Sequence, residues 1–295
     1  MRELTPFVTA NQMENKGYNK TYCIIGDPIQ HSLSPAMQNA AFNSLGLDST
    51  YIAFRVREGE LKESIESLRS IKASGFNITA PHKVEAMNYV DEFDPSAYKA
   101  RAVNTVHNVE GLLKAYNTDT YGFVHPLHLR NVNFDGIKIL LLGAGGAARA
   151  VIAALSVEKG VPELLIANRS EGKARSLWEI SLALGLNCKL IPWEQIPEYS
   201  KMAQLIVNAT TLGMKHEPSP VNHKRIMKDA IVYDIVYKPV KTDLLENAKL
   251  AGADVIYGYE MLLHQGAKSF EIWTGLPAPI DVMKKALLGT VGEPS

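Results

Sequence analysis

The chain has 295 residues, 46% of them apolar and 21% charged, the balance of a folded protein with a sizeable core and length for about two domains. Its 31 Lys and Arg offset its 31 Asp and Glu, and without a basic surplus neither a nucleic acid nor an acidic membrane surface is indicated as a partner. The only cysteines, Cys23 and Cys188, are too few for a disulfide framework and sit in apolar runs, so both read as buried thiols in a reducing compartment.

Residues 1–20 form a polar tail without the apolar stretch of a secretory signal. The most apolar window, 139–155, is interrupted by Gly143, Gly145, Gly146 and Arg149 and is too short to span a bilayer. A cytoplasmic location is expected. From residue 21 short apolar runs alternate with helical patterns, as βαβ construction requires. A strand over 21–26 precedes a helix opened by Ser34 as N-cap and Pro35 at the first helical position, with Gly46 as its stop. A strand at 50–54, an amphipathic helix at 61–71 and a strand at 75–79 follow. Residues 103–109 and 112–116 alternate about Glu110-Gly111 and predict a hairpin.

A second unit starts near Val124. An apolar strand over 137–142 runs into Gly143-Ala144-Gly145-Gly146-Ala147-Ala148 and a helix to about residue 157. Strands at 163–167, 205–208, 231–234 and 254–257 and a helix over 172–184 continue the pattern. Helices over 259–273 and 280–288 close the chain and can cover either unit.

The glycine turn suits a dinucleotide. Gly143 permits the tight turn, Gly145 lets backbone approach a pyrophosphate, and the helix start offers free N–H groups; a βα turn without a ligand is the plain alternative. An NAD site places an acid at the tip of the next strand. Here that strand ends in Asn168-Arg169-Ser170, where Arg169 suits a ribose 2′-phosphate and Lys173 lies one turn on. NADP is thus expected over NAD, against the reading of a merely solvated loop. Asn208-Ala209-Thr210 follows a strand and reads as either a cofactor loop or an ordinary turn.

Three polar clusters punctuate the first unit. His31-Ser32-Leu33-Ser34-Pro35 offers two hydroxyls at a helix start, although Ser34 is also explained as a cap. Asn77-Ile78-Thr79-Ala80-Pro81-His82-Lys83 delivers Thr79 and Lys83 at a strand end, and Asn104-Thr105 faces Asn117-Thr118-Asp119 across the hairpin. A lone Lys83 would be a solvated charge. With Asp119 as neighbour it becomes a candidate for moving a proton. Were their stretch helical, His125 and His128 would share a face at i, i+3, but no Cys or clustered carboxylate completes a metal set, so no metal is expected.

In order and spacing these clusters resemble the shikimate/quinate dehydrogenase family over about residues 21–288. The resemblance extends to Ala102-Val103-Asn104-Thr105, Tyr233-Asp234-Ile235-Val236-Tyr237 and Met261-Leu262-Leu263-His264-Gln265. It implies a two-domain α/β fold. A substrate-binding domain over 21–122 with a mainly parallel sheet would be completed by the C-terminal helices, about 264–295, and a Rossmann NADP-binding domain would cover 123–263. It implies reversible NADPH-dependent reduction of 3-dehydroshikimate to shikimate, an oxidoreductase step at a CH–OH group on the chorismate route to aromatic amino acids.

The same resemblance implies that Lys83 is the acid/base with Asp119 beside it. Ser32, Ser34 and Tyr237 would hold the substrate carboxylate, and Thr79, Lys83, Asn104, Asp119 and Gln265 would contact the rest of the substrate. The cofactor would lie on Gly143, Ala144, Gly145, Gly146 and Ala147, on Asn168, Arg169, Ser170 and Lys173, and on Asn208, Ala209 and Thr210. Ile235 and Gly258 would meet its nicotinamide end, and Met261 would be a further cofactor contact. A degradative quinate/shikimate dehydrogenase is the near alternative, disfavoured because no acid ends the second strand. A non-catalytic NADP or metabolite sensor is the other, disfavoured because Lys83 and Asp119 are both present. The partner is a small molecule, with a homodimer left open. Where the family commonly reads Asp-Gly-Leu-Gly-Met this chain has Tyr257-Gly258-Tyr259-Glu260-Met261; Gln38 replaces a frequent His, and Arg101 and Thr120 each replace a frequent Gly.

Overall fold

The computed structural model describes residues 19–160 and 163–292. The expected tail, except for its last two residues, and the final three residues of the chain lie outside that range. In chain order come β1 (Lys20–Gly26), α1 (Ser34–Ser44), β2 (Ser49–Arg55), α2 (Leu61–Ser70), β3 (Gly75–Ile78), β4 (Glu92–Phe93), α3 (Pro95–Ala100), β5 (Thr105–Val109) and β6 (Leu112–Tyr116). Then follow α4 (Asp119–Leu129), β7 (Lys138–Leu142), α5 (Gly146–Leu155), β8 (Glu163–Ala167), α6 (Glu171–Ala183), β9 (Cys188–Leu190) and α7 (Ile196–Tyr199). The remainder is β10 (Leu205–Asn208), β11 (Ile231–Asp234), α8 (Asp243–Ala251), β12 (Asp254–Ile256), α9 (Gly258–Thr274) and α10 (Ile280–Val291).

The strands form two sheets. The first has the order β2-β1-β3-β5-β6-β4, parallel through β2, β1 and β3 and again at β4 and β6, antiparallel from β3 through β6. The antiparallel pair β5–β6 is the expected hairpin. Glu110 and Gly111 both adopt positive φ, 54° and 94°, as a two-residue hairpin turn of matching twist requires. The second sheet, β12-β11-β10-β7-β8-β9, is parallel throughout. The direction of winding reverses between β7 and β10, which opens a crevice beyond their C-terminal ends.

Parallel strands covered on both faces need near-continuous apolar runs, and β7, β8 and β10 supply them apart from Lys138, Glu163 and Asn208 at their ends. Their side chains alternate between two cores. Ile139, Leu141, Leu164, Ile166 and Val207 pack with residues of α4, α5 and α6, whereas Leu140, Leu142, Leu165 and Ile206 pack with Leu244, Leu245 and Ala248 of α8. In the first sheet Cys23, Ile25, Phe76 and Ile78 meet α2, while Tyr22, Ile24 and Tyr51 meet α1, α9 and α10. Both cysteines are free and buried.

The closing helices settle an open question. α9 buries Met261 in the core of the second sheet and Leu263, Ala267, Phe270 and Trp273 in that of the first, so it covers both units, and α10 returns to the first with Met283 and Leu287. The Trp273 indole donates to the Val106 carbonyl at 2.9 Å and occupies the space beside Gly75, where a Cβ would lie 2.3 Å from the ring.

Two local expectations are corrected. α1 begins at Ser34 itself with Leu33 in the N-cap position, whose apolar side chain has no acceptor to cap the helix, and Pro35 takes the second helical place. The unassigned stretch before β7 is a helix, α4, despite Pro126 in its interior. Proline has no N–H for the carbonyl one turn back, here that of Gly122. The buried Tyr233 hydroxyl donates to that oxygen at 3.3 Å, so the proline leaves no orphan.

Candidate active site

The site is assembled from strand ends and helix starts. β3 ends at Ile78, and the following turn carries Lys83 toward the start of α4. There Lys83 Nζ donates to Asp119 Oδ2 at 2.5 Å, with side-chain exposures of 17% and 7%. Asp119 occupies the first turn of α4, where the helix dipole favours a carboxylate. Its other oxygen accepts from Asn104 Nδ2 at 2.9 Å, and the same nitrogen reaches Gln265 Oε1 of α9 at 3.3 Å. Asn104 Oδ1 accepts the Thr118 amide at 2.7 Å, which fixes the side chain's orientation. Four of the expected residues, Lys83, Asn104, Asp119 and Gln265, therefore lie in one hydrogen-bonded group.

Thr79, half-buried, sits at the end of β3 with its methyl against Gly26. Ser32 and Ser34 lie at the start of α1, the Ser32 hydroxyl accepting the Ser34 amide at 3.3 Å. Tyr237 follows β11 of the second sheet, yet packs against the cluster of the first sheet that contains Leu33. Burial there pushes its phenol up.

Below this surface a network joins Asn77, Thr105 and Thr118 of the polar clusters to Tyr51 and Ser269, which the sequence did not single out. Tyr51 donates to Asn77 Oδ1 at 2.6 Å, Asn77 Nδ2 donates to Thr105 Oγ1 at 2.9 Å and to the Asn104 carbonyl at 3.0 Å, and Ser269 bonds Thr105 and Thr118 at 2.8 and 3.1 Å. Burial drives the Tyr51 phenol well above its ordinary range. Polar groups this deep must be satisfied by one another, and their shared bonds hold Asn104 from behind. The signal available was Asn77, a polar residue inside an apolar strand, and Ser269, one helical turn beyond Gln265.

The second sheet meets this group at the glycine turn after β7. Gly143, at φ 112°, is pressed against the Ala209 carbonyl, where a Cβ would lie 2.8 Å away. Gly145 faces open space, so the backbone there can be approached closely. A Cβ on Gly146 would lie 3.3 Å from the Lys83 Cδ, which puts the stem of the lysine on the start of α5. Ala144 is buried and Ala147 half-buried beside them.

At the tip of β8, Asn168 Nδ2 donates to the Ser170 carbonyl at 2.9 Å, and the Arg169 guanidinium lies over the Trp193 ring at 5.9 Å, exposed and without an ion pair among the described residues. Lys173 is exposed in the first turn of α6. These residues fit a dinucleotide with a 2′-phosphate: an open glycine face, helix-start amides and a cation with no carboxylate beside it.

Asn208 and Thr210 are tied together, the Thr210 hydroxyl donating to Asn208 Oδ1 at 2.6 Å, and Asn208 Nδ2 donates to Asp234 Oδ1 at 2.8 Å. Asp234 also accepts from the Thr242 hydroxyl at 2.6 Å and the Val236 amide at 3.0 Å; its burial pushes the carboxyl up to about 6. Gly258 lies under Ile235, since a Cβ there would be 2.4 Å from the carbonyl oxygens of Ile235 and Val236. Met261, by contrast, points its side chain into the core.

The substituted positions are also explained. Gln38 donates to the Gly266 carbonyl at 2.8 Å, Arg101 takes the left-handed conformation that ends α3, at φ 46°, and Thr120 donates to the Asn117 carbonyl at 2.7 Å. His264 turns its ring to His125, with centroids 4.4 Å apart, and burial lowers it to about 4. Among the described residues no group of three or more His, Cys, Asp or Glu could hold a metal ion, and no helix is long and apolar enough to cross a membrane.

Comparison with known proteins gives a consistent result. Residues 24–106 match the model of a shikimate dehydrogenase substrate binding domain, 127–235 that of shikimate / quinate 5-dehydrogenase, and 258–288 that of a shikimate 5′-dehydrogenase C-terminal domain. The chain is 48% identical over 270 residues to shikimate dehydrogenase (NADP(+)) of Nitrosopumilus maritimus, covering 92% of this chain and 98% of that protein. Shikimate 5-dehydrogenase of Thermus thermophilus, solved in complex with NADP(H) and shikimate, is similar with a TM-score of 0.81 and 36% identity, over 92% of this chain and 99% of the other. Quinate dehydrogenase of Corynebacterium glutamicum, in complex with NAD, is similar with a TM-score of 0.84 and 28% identity, over 92% and 99%.

Proposed function

The chain belongs to the shikimate/quinate dehydrogenase family, and from that premise we propose that it is an NADP-dependent shikimate dehydrogenase, reversibly reducing 3-dehydroshikimate to shikimate. Bound NADPH supplies the hydride. Everything else falls to the chain's own residues. Lys83 gives a proton to the ketone oxygen as the carbon is reduced, is left as a neutral amine and regains a proton from solvent; in oxidation it removes the hydroxyl proton. Asp119, fixed by Asn104 and the start of α4, holds the ammonium in place between turnovers. The hydroxyls of Ser32, Ser34 and Tyr237 receive the carboxylate, and Thr79, Asn104 and Gln265 receive ring hydroxyls.

The observation that carries this reading is the Lys83–Asp119 pair lying against the glycine turn at Gly146. Arg169, with no acid at the tip of β8, supports NADP over NAD. We assign residues 21–122 and about 264–295 to the substrate half and 123–263 to the nucleotide half. Both boundaries fall inside helices, α4 and α9. The buried free thiols suit a reducing compartment, and we place the protein in the cytoplasm.

The test is absorbance of reduced nicotinamide with purified protein, shikimate or quinate, and NADP or NAD. Shikimate with NADP is expected to be the preferred pair; preference for quinate with NAD would give the degradative reading instead. In Lys83→Ala, kcat is expected to fall by about 10²–10⁴, the usual worth of a positioned proton donor, with shikimate still bound. Unchanged turnover would remove Lys83 from the chemistry.

A further inference from the structure

The two helices in which the chain crosses between halves also carry the surroundings of the reacting group. Asp119 opens α4 and Gln265 lies within α9. The helices touch with almost nothing between them, since a Cβ on Gly122 would lie 2.7 Å from both the Met261 carbonyl oxygen and the Gln265 Cβ. Such contact fixes their separation. A glycine, having no side chain to lodge between turns, does little to fix how far one helix slides along the other.

That slide is restrained at the far end of α4. Arg130, the residue after the helix, bonds Glu260 through both terminal nitrogens, Nη1 to Oε2 at 3.0 Å and Nη2 to Oε1 at 3.3 Å. Nη1 also donates to the Pro126 carbonyl at 3.1 Å and Nη2 to the Val255 carbonyl at 3.4 Å, while Nε stands 3.4 Å from the Asp254 carboxylate. Glu260 Oε1 in turn accepts the Tyr257 amide at 3.0 Å, at the start of α9. One planar cation therefore joins the end of α4, the strand β12 and the first turn of α9, and a two-point pair fixes direction as well as distance. Both partners are largely withdrawn from water, with side-chain exposures of 27% and 17%.

We propose that Arg130 and Glu260 are positioning residues for the reaction, setting the register of α4 against α9 and through it the placement of Asp119 against Asn104 and Gln265. The proposal rests on the site assignment above. α4 has 11 residues and contains Pro126, about 16 Å of helix, so a slide at Arg130 is carried along it toward Asp119, resisted on the way by the His125–His264 ring contact with α9. Asn104 Nδ2 bonds Asp119 at 2.9 Å and Gln265 at 3.3 Å, so a slide of about an ångström breaks one of the two bonds. Misplacement of that size can cost about 10²-fold in rate.

The test compares Arg130→Met, Arg130→Lys and Glu260→Gln with the unaltered chain. Glu260→Gln keeps one oxygen for the Tyr257 amide but removes the charge and the second acceptor that Arg130 Nη1 uses. Calorimetric titration of shikimate into nucleotide-free protein is read beside kcat, the KM for shikimate and thermal melts. The expected result is a fall of tenfold or more in kcat/KM for shikimate in Arg130→Met and Glu260→Gln, a shikimate Kd weakened at least threefold without nucleotide, and a smaller loss in Arg130→Lys. Should Arg130→Met fail to fold, the other two carry the comparison. Variants that melt earlier while kcat, KM and Kd stay within twofold would make the pair a structural tie only, and the proposal would fall. Failure of the unaltered chain to bind shikimate would instead overturn the site assignment beneath it.

Discussion

Asp234 has no exposed surface, yet three donors converge on its carboxyl from Asn208, Val236 and Thr242. It ties the Asn208 loop to the segment that carries Ile235 and Tyr237, so both walls of the crevice depend on it. Burial raises its pKa from 3.8 to about 6. A raised acid pKa means the folded state binds the proton more tightly than the unfolded one. Ionisation therefore costs folding free energy above about pH 6, and the cost fades as the pH falls toward 4. Compared with Asp234→Asn, which cannot ionise, the unaltered chain is expected to gain about 1–2 kcal/mol between pH 7.5 and pH 5. Urea unfolding of both proteins at the two pH values measures this, and a difference independent of pH would refute it. The sequence brought forward residues whose type advertises chemistry at a strand end, such as Lys83 and Asp119. It passed over Tyr51 and Ser269, because a tyrosine in a strand and a serine in a helix are ordinary until they are seen to bond the same buried group.

At the scale of elements, long periodic segments were legible. The helix expected over 61–71 is Leu61–Ser70, and the strands expected at 163–167, 205–208 and 231–234 are found at those bounds. β4, of two residues, and β9, of three, are too short to show any period. α4 was hidden by Pro126, whose breaking effect is cancelled only by the Tyr233 hydroxyl, a residue far along the chain. α8 went unassigned although Thr242 caps it, accepting the Leu245 amide at 3.4 Å. The start of α9 is held against the loop after β11 at Gly258, where backbone oxygens cannot give way as a side chain would. Gly258→Ala is expected to destabilise the fold by about 1–3 kcal/mol and to raise the KM for NADP more than that for shikimate. Urea unfolding and steady-state kinetics check both, and an alanine tolerated without either effect would show that the segment has room to move.

The whole molecule is coupled by α9, which belongs to two cores at once, and by Tyr237, which leaves one sheet to pack on the other. Trp273 lies in the first core, whereas Trp178 and Trp193 pack on the two faces of the second sheet. Unfolding is therefore expected to be a single transition, with tryptophan fluorescence and far-ultraviolet circular dichroism coincident. Shikimate at a hundred times its Kd should stabilise the whole by about 2.7 kcal/mol, moving both probes together; a ligand shift confined to one of two separate transitions would show that the halves unfold independently. What the sequence determined by itself was the α/β plan, the glycine turn after β7, the missing acid after β8 and the inventory of polar clusters. Apolar period, turn chemistry and motif spacing are local properties, written within a few residues of one another. Only the tertiary structure decided that the Lys83 stem rests on Gly146, that one Asn104 nitrogen serves both Asp119 and Gln265, and that Arg130 meets Glu260. Those contacts join segments remote along the chain, and their distances follow from how closely helices and sheets can approach, which no single segment encodes.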